Sequence, residues 1–313
     1  MKGIAGLGGR RRGLLCALTA AALLLGACGK PAPDAASMPR FAAPPAQSPV
    51  VEYSFGVVPM SNFRDIYDVF LPILDHINAG LQDARLVLEV PRGLVEHEQQ
   101  LQARSFAFAL SNPYQTVRAV ERDGYRIFAK MGDDNAFRGI WMVRKDSGIA
   151  SLADLKGKRL GFPPKSALAA TMMTQLQLKR NGIDPARDIE ATYVGSQHAS
   201  IMGVFQKNVV AGATWPLAWI TFQRTHPGEA RQLEARFSTD PLINQGIVAR
   251  NDVPPDLVRR VGELMVAMNK TDKGRALLAQ VPVSAFELAG EARYDVVRLF
   301  LEQHRQAFPG AHN

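Results

Sequence analysis

The sequence predicts an α/β fold arranged as two lobes, on three observations. Apolar runs of strand length alternate with stretches of helical period between about residues 52 and 205, the pattern of a mainly parallel sheet covered on both faces. The region beyond residue 50 holds about 260 residues, enough for one large domain or for two lobes with separate cores. Two long helical segments, near 255–269 and 291–305, close the chain.

Ahead of that region, Lys2, Arg10, Arg11 and Arg12 precede an apolar segment over 13–27 that ends in Leu25-Gly26-Ala27-Cys28. A basic start, an apolar centre and a small-residue exit, in that order, read as a signal peptide over 1–27, short for a stable membrane span. The exit resembles a bacterial lipobox, which implies lipidation of Cys28, cleavage before it, and a mature protein held at the membrane by a lipid anchor alone. A retained membrane anchor and a plain secretory signal are the alternatives, and the arginine run fits a twin-arginine signal loosely. Losing 1–27 removes four basic and no acidic residues and lowers the formal charge from +8 to +4. A chain so near balance, with no basic run interleaved with aromatics, gives no support to a nucleic-acid partner. Cys16 and Cys28 are the two cysteines, so the folded part has no disulfide, thiolate nucleophile or cysteine metal site. Residues 28–50, rich in Pro, Ala and Ser, read as a flexible tether.

The elements follow in order. Residues 52–58 form a strand, and 65–78 a helix with Ile66, Val69, Phe70, Ile73, Leu74 and Ile77 at helical spacing. Residues 86–90 are a strand, 94–103 a helix, and 106–110 a short apolar strand running into Ser111-Asn112-Pro113-Tyr114. Further strands are expected at 139–144, 159–162, 189–194 and 246–248, with helices at 167–179 and 200–205. Asn181-Gly182 supplies the stop for the first of these helices.

Motifs placed along this plan carry a resemblance over nearly the whole mature chain. Phe55-Gly56-Val57-Val58-Pro59, Leu71-Pro72-Ile73-Leu74 and Ser111-Asn112-Pro113-Tyr114 are similar to the first lobe of the periplasmic phosphate, phosphite and phosphonate solute-binding proteins of ABC transporters. The stretch from Met142 to Ile149, then Ser151 to Lys158, resembles that family's crossing into the second lobe. Gly195-Ser196-Gln197-His198-Ala199-Ser200 and the stretch from Gly246 to Pro255 continue it in the same order. The resemblance implies a type II periplasmic-binding-protein fold, two α/β lobes joined by crossover strands and closing over a small ligand. Lobe 1 is then 51–140 with 246–313, lobe 2 is 141–245, and the crossings fall near 139–145 and 244–250.

It also implies ligand contacts, each with a plainer reading beside it. Ser166 follows the strand at 159–162 at the expected N-cap of the next helix, where free backbone N–H groups favour an anion. The family's serine-threonine-serine loop matches Ser166 here, with Ala167, Leu168 and Ala169 in place of the following hydroxyls and glycine. Backbone donors survive that change, and the plainer role of Ser166 is capping alone. His198 matches the family histidine that contacts the oxyanion, and an imidazole that titrates near neutral pH suits an exchangeable ligand; otherwise it is a capping or surface histidine. Tyr114 matches a tyrosine pointing across the cleft, or is an aromatic packed behind Pro113. Ser61 and Asn62 follow the first strand, as anion donors or as ordinary caps. Val210 stands where the family carries an aspartate near a ligand's amino group, so a ligand with an ammonium is less expected. Trp215 and Trp219 read as interdomain packing rather than as ligand walls.

Enzyme motifs are missing: His97-Glu98 lacks the second histidine of a zinc-protease helix, and no nucleophile elbow or phosphate-binding loop occurs in the mature chain. No metal or cofactor is expected. The sequence therefore points to a monomeric, lipid-anchored extracytoplasmic protein that captures a small oxyanion with Ser61, Asn62, Tyr114, Ser166, Ala167 and His198 and delivers it to an ABC permease. The alternatives are a ligand sensor that docks on a sensor kinase, and a degenerate member that binds another small nutrient.

Overall fold

The computed structural model describes residues 49–60 and 63–309. The chain lays down β1 (Val51–Val57), α1 (Phe63–Asn78), β2 (Ala84–Glu89), α2 (Leu94–Gln102), β3 (Phe108–Ser111), α3 (Pro113–Arg122) and β4 (Tyr125–Met131). It then crosses to β5 (Ile140–Arg144), β6 (Arg159–Phe162), a helix α4 made of a π-helical start (Leu168–Met173) and an α-helical end (Thr174–Arg180), β7 (Glu190–Tyr193), α5 (Gln197–Phe205) and β8 (Ala211–Thr214). Helices α6 (Pro216–Thr225) and α7 (Pro227–Ala230) lead to β9 (Leu233–Ser238). The chain crosses back to β10 (Gly246–Arg250), α8 (Pro255–Ala267), α9 (Asp272–Leu278), β11 (Phe286–Leu288) and α10 (Asp295–Ala307).

Two sheets result, with strand orders β11-β4-β10-β3-β1-β2 and β7-β6-β8-β5-β9. Both are mixed, which corrects the expectation of mainly parallel sheets: β1 pairs in parallel with β2 and β3, and β6 with β7 and β8. β10 is antiparallel to β3 and β4, β11 to β4, and β5 to β8 and β9. The reason lies in the connections. A strand fed by a helix returns over the sheet and runs parallel; β5 and β10 are fed directly by the crossing segments and enter from the opposite end.

The two crossings run side by side. Thr239 N–H donates to the Gly139 carbonyl (2.9 Å), Gly139 N–H to the Thr239 hydroxyl (3.0 Å), and Leu242 N–H to the Phe137 carbonyl (2.9 Å). At their first-lobe end the Asn244 amide donates to the Gly132 carbonyl (2.7 Å), and Asp134 accepts from both Asn244 N–H (2.9 Å) and the buried Lys130 ammonium (2.8 Å). Glycine is required at 139, where a Cβ would lie 2.4 Å from the Ala169 carbonyl oxygen. The main core surrounds the first sheet through residues such as Phe55, Ile73, Phe108 and Ile247, and it continues into Leu168, Met172 and Trp215 of the second lobe. Smaller clusters cover the two faces of the second sheet, one around Trp141 and Phe162, the other around Met142 and Phe222.

Candidate ligand cleft

A cavity of about 320 Å³ lies between the lobes, at the carboxyl ends of the parallel strands of both sheets. Ligands of open α/β sheets bind at such strand ends, because the loops and helix starts that follow gather there. Here the residues that open α2, α3, α4, α5 and α6 (Gly93, Asn112, Ala167, Ser196 and Trp215) all line the cavity. Each helix start leaves first-turn N–H groups without intrahelical acceptors and carries partial positive charge. Asn112 caps its own helix by accepting from Gln115 N–H, and Ser196 by accepting from Ala199 N–H, both at 3.0 Å. Gly93, Ala167 and Trp215 provide no side-chain cap, so the donors behind them remain for a guest.

Side chains add to this field. Arg92, on the turn before α2, is exposed and lines the cavity, and its backbone N–H is tied to the Glu96 carboxylate (2.8 Å). His198 sits in the first turn of α5, which is seated by Ser200, whose hydroxyl lies 2.7 Å from the Ala213 carbonyl oxygen. Its ring packs against His226 (4.7 Å between centroids) and Phe222 (5.5 Å). Although much of the ring meets solvent, the covered part holds its pKa below the ordinary histidine value; His226 adds to that depression and Asp65, from the first lobe, opposes it. An anion would favour the charged ring and reverse the shift. Gln197 has its amide oxygen engaged by the Thr214 hydroxyl (2.9 Å), which leaves its N–H₂ as what it offers the cavity. No carboxylate occurs among the described lining residues.

The remaining walls are apolar: Val58, Met60, Phe137, Leu168 and Trp215 are all buried. Trp215 meets Phe137 edge to face at 5.6 Å and so both packs the crossing and walls the cavity, while Trp219 stacks on Phe222 in the second lobe.

The family described as ABC transporter, phosphonate, periplasmic substrate-binding protein matches residues 55–294. The chain belongs to that family. A binding protein component of an ABC phosphonate transporter from Pseudomonas aeruginosa superposes with a TM-score of 0.75 at 17% identity, over 82% of this chain and 88% of that one. PhnD1 from Prochlorococcus marinus in complex with methylphosphonate superposes at 0.73 and 16% identity, over 80% and 97%. A Xanthomonas citri protein bound to ATP does so at 0.64 and 16%, over 83% and 99%. At such identity these likenesses establish the two-lobed fold, and the different guests show that the fold does not choose the ligand. The phosphonate-binding family consists of periplasmic transport proteins rather than enzymes, and no helix among the described residues is long and apolar enough to cross a membrane.

Within this phosphonate-binding-family cleft the six expected contacts separate. Ala167 and His198 line the cavity. Ser61, Asn62 and Cys28, the expected lipidation position, lie outside the described residues. Ser166 and Tyr114 instead line a neighbouring groove beside α10, together with Arg118 and Arg298. Tyr114 is the second residue of α3, so its side chain leaves the helix about 100° round from Pro113; it packs under Arg118, one turn on, with the guanidinium 5.8 Å from the ring centroid. The cap expected at Ser166 falls one residue later. Ala167 N–H closes a turn onto the Pro164 carbonyl, and the Ala167 carbonyl accepts the first helical bonds from Thr171 and Met172. Ser166 contributes its carbonyl to the Asn112 amide (3.2 Å), a bond between the lobes. Val210 is also misjudged from sequence: it precedes β8 beside Arg159, at the opposite end of that strand from Trp215. Five residues of extended chain, about 16 Å, separate it from the cavity, so its identity says nothing about an ammonium.

Sequence reasoning missed Arg92, Asn112, Gln197 and Gln245 as cavity residues. Arg92 had a signal, since Pro91-Arg92-Gly93 lies between a strand and a helix, where anions bind. Gln245 had none.

Proposed function

We propose that this protein captures a small oxyanion of the phosphonate class between its lobes, 51–140 with 246–313 on one side and 141–245 on the other, and presents the closed form to an ABC permease as a lipid-anchored monomer. One observation carries the reading: helix starts from both sheets open onto a single cavity that has cationic or donor side chains and no described carboxylate. An oxyanion held there takes hydrogen bonds from both lobes at once. Binding energy is then greatest when the lobes are together, and closure becomes the ligand-dependent signal. Arg92 supplies fixed charge, His198 a donor whose strength rises as it protonates, and Asn112 joins the lobes beside the guest. The methylphosphonate in the Prochlorococcus marinus complex supports the ligand class.

Calorimetry and thermal unfolding against phosphate, phosphite, methylphosphonate and sulfate test this. A ligand at 100 times its Kd raises stability by about 2.7 kcal/mol, and His198→Ala or Arg92→Ala weakens the best ligand by about 1.5–3 kcal/mol through loss of a charge-assisted bond. If none of the four anions binds, the reading fails.

A further inference from the structure

The cavity has more room than an oxyanion fills. Its volume of about 320 Å³ reaches the range that holds drug-sized ligands, about 300–1,000 Å³. Methylphosphonate has five heavy atoms, about half of that space at about 30 Å³ for each water-sized group. The excess is bounded by Met60, Phe137, Leu168 and Trp215, each less than a tenth exposed. Such walls favour an apolar guest surface and offer no counter-charge to an ammonium.

One polar residue interrupts them. Gln245, on the second crossing segment, is 2% exposed and lines the cavity. Its Nε2 donates to the Met60 sulfur (3.1 Å), and its Oε1 has no hydrogen-bond partner. Sulfur accepts weakly and donates nothing, which fixes the amide with its oxygen as the unmet group. A buried carbonyl left alone bears its full desolvation penalty. A fully ionised oxyanion has no proton to give it, and the described lining supplies no donor to it. A guest that carries a hydroxyl can supply that donor.

We propose that the guest is an organophosphonate whose substituent is uncharged, spans several carbon atoms along the apolar walls, and carries one hydroxyl that donates to Gln245 Oε1. This rests on the oxyanion reading above. It assigns Gln245 as the residue that selects the substituent, while the helix starts hold the head group.

Calorimetry on the purified protein at pH 8.5, with 3-hydroxypropylphosphonate, propylphosphonate, 3-aminopropylphosphonate and methylphosphonate, tests it. The hydroxypropyl compound binds tightest, by about tenfold or more over propylphosphonate and over the aminopropyl compound. Gln245→Leu brings the hydroxypropyl-to-propyl ratio to about one and leaves propylphosphonate within about threefold of its native affinity. Gln245→Met, of similar length, gives the same result should the leucine variant not fold. The proposal is overturned if the aminopropyl compound binds tightest, if methylphosphonate equals the hydroxypropyl compound, or if the hydroxyl preference survives in the folded Gln245 variant. If none of the four binds and phosphate, phosphite and sulfate fail as well, the oxyanion reading falls with it; binding of phosphate but of none of the four, or of methylphosphonate with no gain from a substituent, removes this proposal alone.

Discussion

His97 couples folding to pH through its burial. The ring is fully buried in α2 against Phe106, neither nitrogen has a hydrogen bond of normal geometry, and burial pushes its pKa down to about 3 despite weak support from the Leu110 carbonyl and Gln115. The unfolded chain takes up a proton near pH 6.5 that the folded protein refuses until about pH 3. Stability is therefore intact above pH 6.5 and declines on acidification by about 1.4 kcal/mol per pH unit through that window. Urea titrations at pH 7, 5.5 and 4.5 should show this slope in the native protein and its loss in His97→Gln; equal slopes would show that the ring is not the group concerned. In the sequence His97 stands out only as half of a zinc motif, because burial is invisible at a single position. His198 was legible: it follows Gly195-Ser196 at a helix start, and local sequence sets both the cap and the side chain just after it. Tyr114 was not, because one residue of offset along a helix turns a side chain by about 100°.

At the scale of elements, what matters is how closely backbones approach. α4 begins with π-helical turns, whose wider winding carries Leu168 and Ala169 past the cavity before the α-helical end takes over. The crossing at Gly139 packs against that start. Gly139→Ala should cost about 1–3 kcal/mol by overpacking and also weaken ligand binding, since the Ala169 backbone is what must give way; an unchanged urea midpoint would refute the contact. The strands expected at 52–58 and 159–162 are observed at Val51–Val57 and Arg159–Phe162, shifted by one residue in the first and unshifted in the second. β8, Ala211–Thr214, was not, because Ala-Gly-Ala-Thr has little strand propensity of its own. It is a strand because β6 and β5 lie on either side of it, and because Gly212 lets α5 approach to where a Cβ would meet the Ser200 carbonyl oxygen at 2.5 Å.

At the scale of the whole molecule, a phosphonate-binding-family protein joins two lobes through paired crossings. Opening must break the Asn112–Ser166 bond and expose part of the core shared by Leu168, Met172 and Trp215. On the proposed reading, a guest bonded to both lobes would add to that cost and so favour the closed form. Attachment through Cys28, as proposed, is tested separately. Cys28→Ser should move the protein from the membrane fraction to the soluble one while its unfolding midpoint stays the same; unaltered fractionation would exclude the lipid anchor.

The sequence by itself determined the alternation of strands and helices, the exit-signal pattern, and the ordered motifs that point to the family, since these are local patterns along the chain. The tertiary structure decided which residues share the cleft. Gly93, Asn112, Ala167, Ser196 and Trp215 are far apart in sequence and become neighbours because each opens the helix that follows a parallel strand of one sheet or the other. Gln245 joins them because the second crossing must pass beneath that same opening. Membership depends on strand direction and on the meeting of two sheets, and neither is encoded at any one position.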